Sequence, residues 1–158
     1  MKVIFLDIDG VLNSIAWQKS RPPKEQKIIT DALAHWKRSI DRDCVARLNR
    51  ICRETGASVV ISSSWRTMLT AGELMATLIE LGFDGDIIGQ TLALSGSRWQ
   101  EIEAWLNQAS GRIDSYVILD DDEVLPATRA GCFVRTDYCV GLTDDDASRA
   151  IVILGKTP

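Results

Sequence analysis

Apolar positions in this chain fall into two patterns, and the patterns alternate. Short unbroken runs occur at residues 3–6, 59–61 and 116–119, and each ends abruptly in acids or serines. Such runs suit strands buried on both faces of a parallel sheet. Between them, apolar residues recur at helical spacing. In residues 44–55 the stripe is Val45, Leu48, Ile51 and Cys52, with Asp43 as the expected cap and Gly56 as the stop. A second helix is expected near 71–81, closed by Gly82, and a third over 98–109 with Ile102, Trp105 and Leu106 inward. Thr143 with Asp146 three residues on has the form of a capping box, opening a last helix through Leu154. Shorter strand signals at 86–89 and 132–135 complete the series. This alternation predicts the α/β class, a parallel sheet with helices on both faces, and the 158 residues suit one domain spanning 1–158.

One stretch interrupts the alternation. Residues 14–42 lack strand character, are broken early by Pro22 and Pro23, and then allow a helix over 24–40 with Ile28, Ile29, Leu33 and Trp36 near one face. Charge changes the picture here. Residues 13–42 hold seven basic side chains (Lys19, Arg21, Lys24, Lys27, Lys37, Arg38, Arg42) against three acids, a net +4 in a chain whose total is −4. A solvated insertion would account for any one of these side chains; as a block they form a cationic segment in an acidic chain. With a pI of about 5.0 and mean hydropathy of +0.00, the whole chain reads as soluble and globular, with no global electrostatic case for nucleic acid. No apolar run approaches membrane length. The start, Met-Lys and a short strand carrying acids, lacks a signal-peptide pattern, so the expected compartment is the cytoplasm. Cys44, Cys52, Cys132 and Cys139 form no Cys-x-x-Cys pair, and His35 is alone, so they are expected as reduced, mostly buried thiols.

The chemistry gathers where the apolar runs stop. Asp7 and Asp9 close the first strand, one residue apart, so a regular strand would aim both to one face, and Gly10 lets the backbone turn at once. The second run stops in Ser62, Ser63 and Ser64, and the fourth strand in Asp120, Asp121 and Asp122. Right-handed crossovers put these ends on one edge of the sheet, the edge where open α/β sheets bind ligands. Five acids on one edge call for a cation, and hard carboxylate oxygens favour Mg²⁺. A metal flanked by a hydroxyl and a cationic side chain suits phosphoryl chemistry.

Asp7-Ile8-Asp9-Gly10-Val11, Ser62 after Val59-Val60-Ile61, Arg98, and Asp120-Asp121 after Val117-Ile118-Leu119 resemble, in order, the four motifs of haloacid dehalogenase (HAD)-type phosphohydrolases. More narrowly, Leu6 to Asn13, Ile61-Ser62-Ser63-Ser64-Trp65-Arg66, Arg98 with Glu101-Ile102 and Trp105-Leu106, Ile118 to Asp122, and Gly141-Leu142-Thr143 are similar to the HAD domains of "Swiss Army knife" RNA-repair proteins. The resemblance implies a three-layer, Rossmann-like fold and an Mg²⁺-dependent phosphomonoesterase. In it Asp7 is the nucleophile, forming an aspartyl phosphate, and Asp9 is the general acid and then base. Mg²⁺ is held by Asp7, the backbone carbonyl of Asp9, Asp120 and Asp121. Ser62 donates to a phosphate oxygen, and Arg98 holds nucleophile and phosphate. Arg98 departs from the usual lysine, keeping the charge but changing the geometry. Arg66 is the other candidate for that role, since no lysine lies between Lys37 and Lys156. Gly10, Ser63 and Arg66 are further candidates for substrate binding. The alternative for Arg98 is a pair with Glu101 or another surface acid at a solvated helix start, and Asp122 fits a helix cap better than a ligand.

The superfamily sets specificity with a cap after the first motif or between the second and third. Here 14–42 is too short for a full cap domain, and 67–96 is largely used by a core helix and the third strand, so the site is expected to be capless and open. An open site beside a basic flap favours nucleotide or polynucleotide-end phosphates, of RNA or DNA. A small-metabolite phosphatase and an idle phosphate-binding module are the rivals; a pure binder has no use for a general acid at Asp9. Nothing points to a membrane or to an obligate protein partner.

Overall fold

The structure is a computed structural model that describes residues 1–22, 32–109, 111–122 and 126–155. Five strands form one all-parallel sheet: β1 (Lys2–Leu6), β2 (Ser58–Ile61), β3 (Ile87–Gln90), β4 (Ser115–Asp120) and β5 (Phe133–Arg135), in the spatial order β3-β2-β1-β4-β5. The chain steps outward from β1 through β2 to β3, then returns to build β4 and β5 on the other side. The order therefore reverses between β1 and β4, which opens a crevice at their carboxyl ends.

Among the described residues six α-helices accompany the strands: α1 (Ile15–Ser20), α2 (Ala32–Ser39), α3 (Arg42–Thr55), α4 (Ala71–Glu80), α5 (Arg98–Gln108) and α6 (Asp144–Gly155). Two apolar layers hold them. Leu6, Val59, Ile61 and Leu119 pack with Leu48 and Ile51 of α3, Leu74 and Leu78 of α4, and Ala147, Ala150 and Leu154 of α6. The opposite face is smaller: Val3, Phe5, Val60 and Ile118 pack against Ile102 of α5, with Trp99, Trp105 and Leu106 partly buried around them. Side chains such as Ile4, Leu6 and Leu48 are fully buried, each stabilising by roughly 1.5–3 kcal/mol relative to exposure. The three-layer α/β architecture predicted from the alternation is the one observed.

Several expectations shift locally. The cap of α3 is Asp41 rather than Asp43, because Asp41 has the extended backbone a cap needs and its carboxylate accepts the Asp43 N–H at 2.9 Å. Gly56 ends α3 as expected, with φ +67° and its N–H returned to Cys52. The capping box of Thr143 and Asp146 is present in both directions, at 3.1 Å each. Of the helix expected over 24–40, residues 32–39 form α2; Pro23, Lys24, Lys27, Ile28 and Ile29 lie outside the described residues. α1 was not anticipated: Ser14 caps it by accepting the Trp17 N–H at 3.1 Å. Cys132 belongs to a 3₁₀ turn (Ala127–Cys132) before β5 rather than to the strand. All four cysteines are free, but only Cys44 and Cys52 are buried; Cys132 is half-buried, and Cys139 is exposed in the loop after β5. Among the described residues no helix is long and apolar enough to cross a membrane.

Candidate active site

Asp7 is the first residue beyond β1, and its N–H continues the ladder to Leu119 O at 2.9 Å. That places it at the crevice, facing the end of β4. Asp7 is 6 % exposed, and its carboxylate accepts the Ile8 N–H at 2.8 Å. Asp120, 2 % exposed, ends β4 opposite, and Asp121 follows. Asp7, Asp120 and Asp121 each bring one carboxylate oxygen within 4.8 Å of the others. Crowding and burial act together on these acids. Burial, then the charge of Asp7, pushes Asp120 up to about 7. Burial also raises Asp7, with Arg98 and the Ser63 hydroxyl opposing it, and raises Asp121 with help from Asp122 and Asp9. Three carboxylates so placed are a cluster short of positive charge, and a small divalent cation with a hard oxygen preference fits it.

Arg98 supplies part of that charge. It opens α5, capped by Ser97, and its guanidinium lies 3.6 Å from Asp7 Oδ2 and 3.5 Å from Asp120 Oδ2, while also donating to the backbone carbonyl of Ser62. The surface pair of Arg98 with Glu101 is not formed. Glu101 is buried and instead holds Arg66 at 2.5 Å, with Arg66 also donating to Ser63 O. Of the two arginines, the structure brings Arg98 to the acids and ties Arg66 between the turn after β2 and α5.

Gly10 is required twice over. Its φ of +69° favours glycine, and a Cβ there would come within 2.5 Å of Asp121 Cγ. The turn it makes is clamped by Thr136, whose hydroxyl donates to Gly10 O at 2.8 Å, and by Leu142 N–H donating to Val11 O at 2.8 Å. Asp9 does not join the three-carboxylate group with its side chain. Its two oxygens accept from Asn13 Nδ2 (2.7 Å) and from Trp65 Nε1 (3.0 Å). Trp65 is 1 % exposed and packs edge-on against Trp36 of α2, ring centroids 4.5 Å apart. Asn13 and Trp65, which the sequence motifs contain without a role of their own, thus fix the direction of Asp9. The only local signal was Asn13 four residues after Asp9.

The two serines divide their work. Ser63 is fully buried, and its hydroxyl accepts the Trp65 N–H at 3.4 Å in the 3₁₀ turn Ser64–Thr67. Ser62 is 1 % exposed, and its Oγ has no partner among the described residues. A buried hydroxyl without a partner is unfavourable, and a phosphate oxygen would supply the missing acceptor. Asp122 is exposed, and its N–H donates to Asp120 Oδ1 at 3.0 Å; it caps none of the described helices.

An acid pair after β1, a hydroxyl after β2, an arginine opening α5 and acids after β4, on a parallel sheet in this order, define a HAD-type hydrolase domain. Residues 3–147 match the family model described as the HAD domain in Swiss Army Knife RNA repair proteins, and the chain belongs to that family. No curated protein and no solved structure matches the chain. Membership points to hydrolase chemistry on phosphate in the setting of RNA repair, and the family generally uses Mg²⁺.

Proposed function

We propose that the protein is an Mg²⁺-dependent phosphomonoesterase that works through an aspartyl phosphate on Asp7 and acts on the phosphorylated ends of polynucleotides. The observation that carries this reading is the pairing of a three-carboxylate cluster, whose buried members Asp7 and Asp120 are bridged by Arg98, with the partnerless hydroxyl of Ser62. Asp7 attacks phosphorus, and the bond to the ester oxygen breaks as Asp9 gives that oxygen a proton. Asp9 then takes a proton from water, which attacks the acyl phosphate, releasing inorganic phosphate and restoring the Asp7 carboxylate. Asn13 and Trp65 hold both oxygens of Asp9 and so fix its direction. Arg98 and Ser62 hold the phosphoryl oxygens. Asp7, Asp120 and Asp121 would hold Mg²⁺, joined by the backbone carbonyl of Asp9, and the cation would neutralise charge on the phosphoryl group.

The cationic segment supports a polymer substrate. Trp17, Arg21, Lys37, Arg38 and Arg42 line a pocket of about 230 Å³ together with Ile40 and Leu81. Its α1 wall begins at Ile15, two residues after Asn13, the residue that holds Asp9. Phosphates beyond the one cleaved would be drawn to it, with an attraction that weakens as salt rises. The test compares kcat/KM for a 5′- or 3′-phosphorylated oligonucleotide with that for the matching mononucleotide at low salt. The oligonucleotide is expected to be the better substrate, and replacing Lys19, Arg21, Lys24 and Lys27 by Ser should erase the preference while sparing a small ester. Equal values, unchanged in the fourfold variant, would turn the reading to a small-metabolite phosphatase. Release of phosphate from no ester at all would end the phosphatase reading.

A further inference from the structure

Among the described residues, the carboxyl edge of the sheet holds a buried hydroxyl, that of Thr91, which the sequence motifs do not supply and no hydrogen bond occupies. Each ladder runs one step past its last strand pair: the N–H groups of Asp7, Ser62 and Thr91 donate to Leu119 O (2.9 Å), Leu6 O (2.8 Å) and Ile61 O (2.9 Å). Leu6 pairs with both Leu119 and Ile61, and Ile61 pairs with Gln90. The next residues therefore form one row across four strands, in the order Thr91, Ser62, Asp7, Asp120. Side chains alternate along a strand, so this row shares the face of Val60, Phe5 and Ile118, the face covered by α5. Gly89, two residues before Thr91, confirms the face on β3: a Cβ there would lie 3.6 Å from Trp105 Nε1 of α5. Arg98 stands over this same face.

Thr91 is 1 % exposed, as is Ser62, and neither Thr91 Oγ1 nor Ser62 Oγ has a hydrogen-bond partner among the described residues. Two buried hydroxyls in neighbouring places on neighbouring strands, both lacking partners, call for one shared acceptor. We propose that Thr91 is a substrate-binding residue whose hydroxyl joins that of Ser62 in holding one phosphoryl oxygen. This rests on the reading of the site as a phosphatase. Strand spacing agrees: adjacent strands lie ~4.8 Å apart, hydroxyl–oxygen bonds are ~2.7 Å long, and an oxygen seated just above the pair reaches both.

The experiment uses Thr91→Val, which keeps the shape and removes the hydroxyl, with Thr91→Ser as the rescue and inorganic phosphate as the probe. Without ligand, Thr91→Val should melt at or above the parent's temperature, because a partnerless hydroxyl has gone. The inhibition constant of phosphate, and KM for a phosphorylated oligonucleotide, should rise about 10-fold, the effect of losing a hydrogen bond to a charged group. Thr91→Ser should bring both back toward the parent values. Parent-like phosphate inhibition in an active Thr91→Val enzyme would overturn the role of Thr91 and leave the phosphatase reading standing. A parent protein that neither binds phosphate nor releases it from esters would overturn the phosphatase reading itself, and Thr91 with it.

Discussion

At the ends of β1 and β4, the buried carboxylates of Asp7 and Asp120 crowd together with Asp121; at the ends of β2 and β3, two buried hydroxyls stand without partners. The two halves of one sheet edge are unsatisfied in opposite ways. The first lacks positive charge, and the second lacks acceptors. A phosphate bound with a divalent cation answers both, because the cation relieves the carboxylates while the phosphoryl oxygens accept from the hydroxyls. Arg98 stands at the seam, ion-paired to Asp7 and Asp120 and donating to the Ser62 carbonyl. Without ligand, each half carries a cost that the fold supports elsewhere through its two apolar layers.

The sharpest way to separate the halves is to remove Asp7, the proposed nucleophile. Asp7→Asn should lower turnover at least ~10⁴-fold while leaving the fold intact, since the amide cannot form the acyl phosphate. Parent-like turnover by the purified variant would rule out the covalent route. Asp9→Asn should cost roughly 10²–10⁴-fold with an alkyl phosphate and less with p-nitrophenyl phosphate, whose leaving group needs little protonation. Equal losses for both esters in single-turnover assays would remove Asp9 from the acid role.

A smaller effect is expected within the acid half. Asp120→Ala should raise the apparent Mg²⁺ constant more than Asp122→Ala, because Asp120 belongs to the three-carboxylate group and Asp122 is exposed beyond it. Mg²⁺ titration of activity decides, and the reverse order would show the cation lies elsewhere. The smallest effect is on stability. Asp120 is raised from 3.8 to about 7, so between those pH values the folded state holds a proton there that the unfolded chain has released. Stability from this group is present below pH 4 and is lost as pH rises through about 7. Metal-free Asp120→Asn should therefore melt above the parent at pH 8, the gap narrowing at pH 5 and closing near pH 4, and added Mg²⁺ should stabilise the parent alone. A parent that melts above the variant at pH 8 in EDTA would contradict the crowding argument.

Much of this was legible in the chain itself. A strand buried on both faces must be an unbroken apolar run, so Val3 to Leu6, Val59 to Ile61 and Val117 to Leu119 announced both the sheet and the places where polar chemistry could begin. The identities of Asp7, Asp9, Ser62 and Asp120 followed from reading what came next. Gly10 was legible as a turn, though not as a residue pressed against Asp121.

Pairing across the structure was decided only in three dimensions. Arg66 and Arg98 look alike as candidates in sequence; Arg66, in the 3₁₀ turn after β2, pairs with Glu101 of α5, while Arg98, at the start of α5, reaches Asp7 and Asp120. Trp65 reads as core, and it is core, yet its indole N–H ends on Asp9. Thr91 is the plainest case. β3 is short and weakly apolar, and its register against β2 shifts at Val59 and Val60. Register is set by how two strands meet, and local composition carries no record of it. The chain alone could say which residues end each strand; only the packed sheet could put Thr91 in line with Ser62, Asp7 and Asp120.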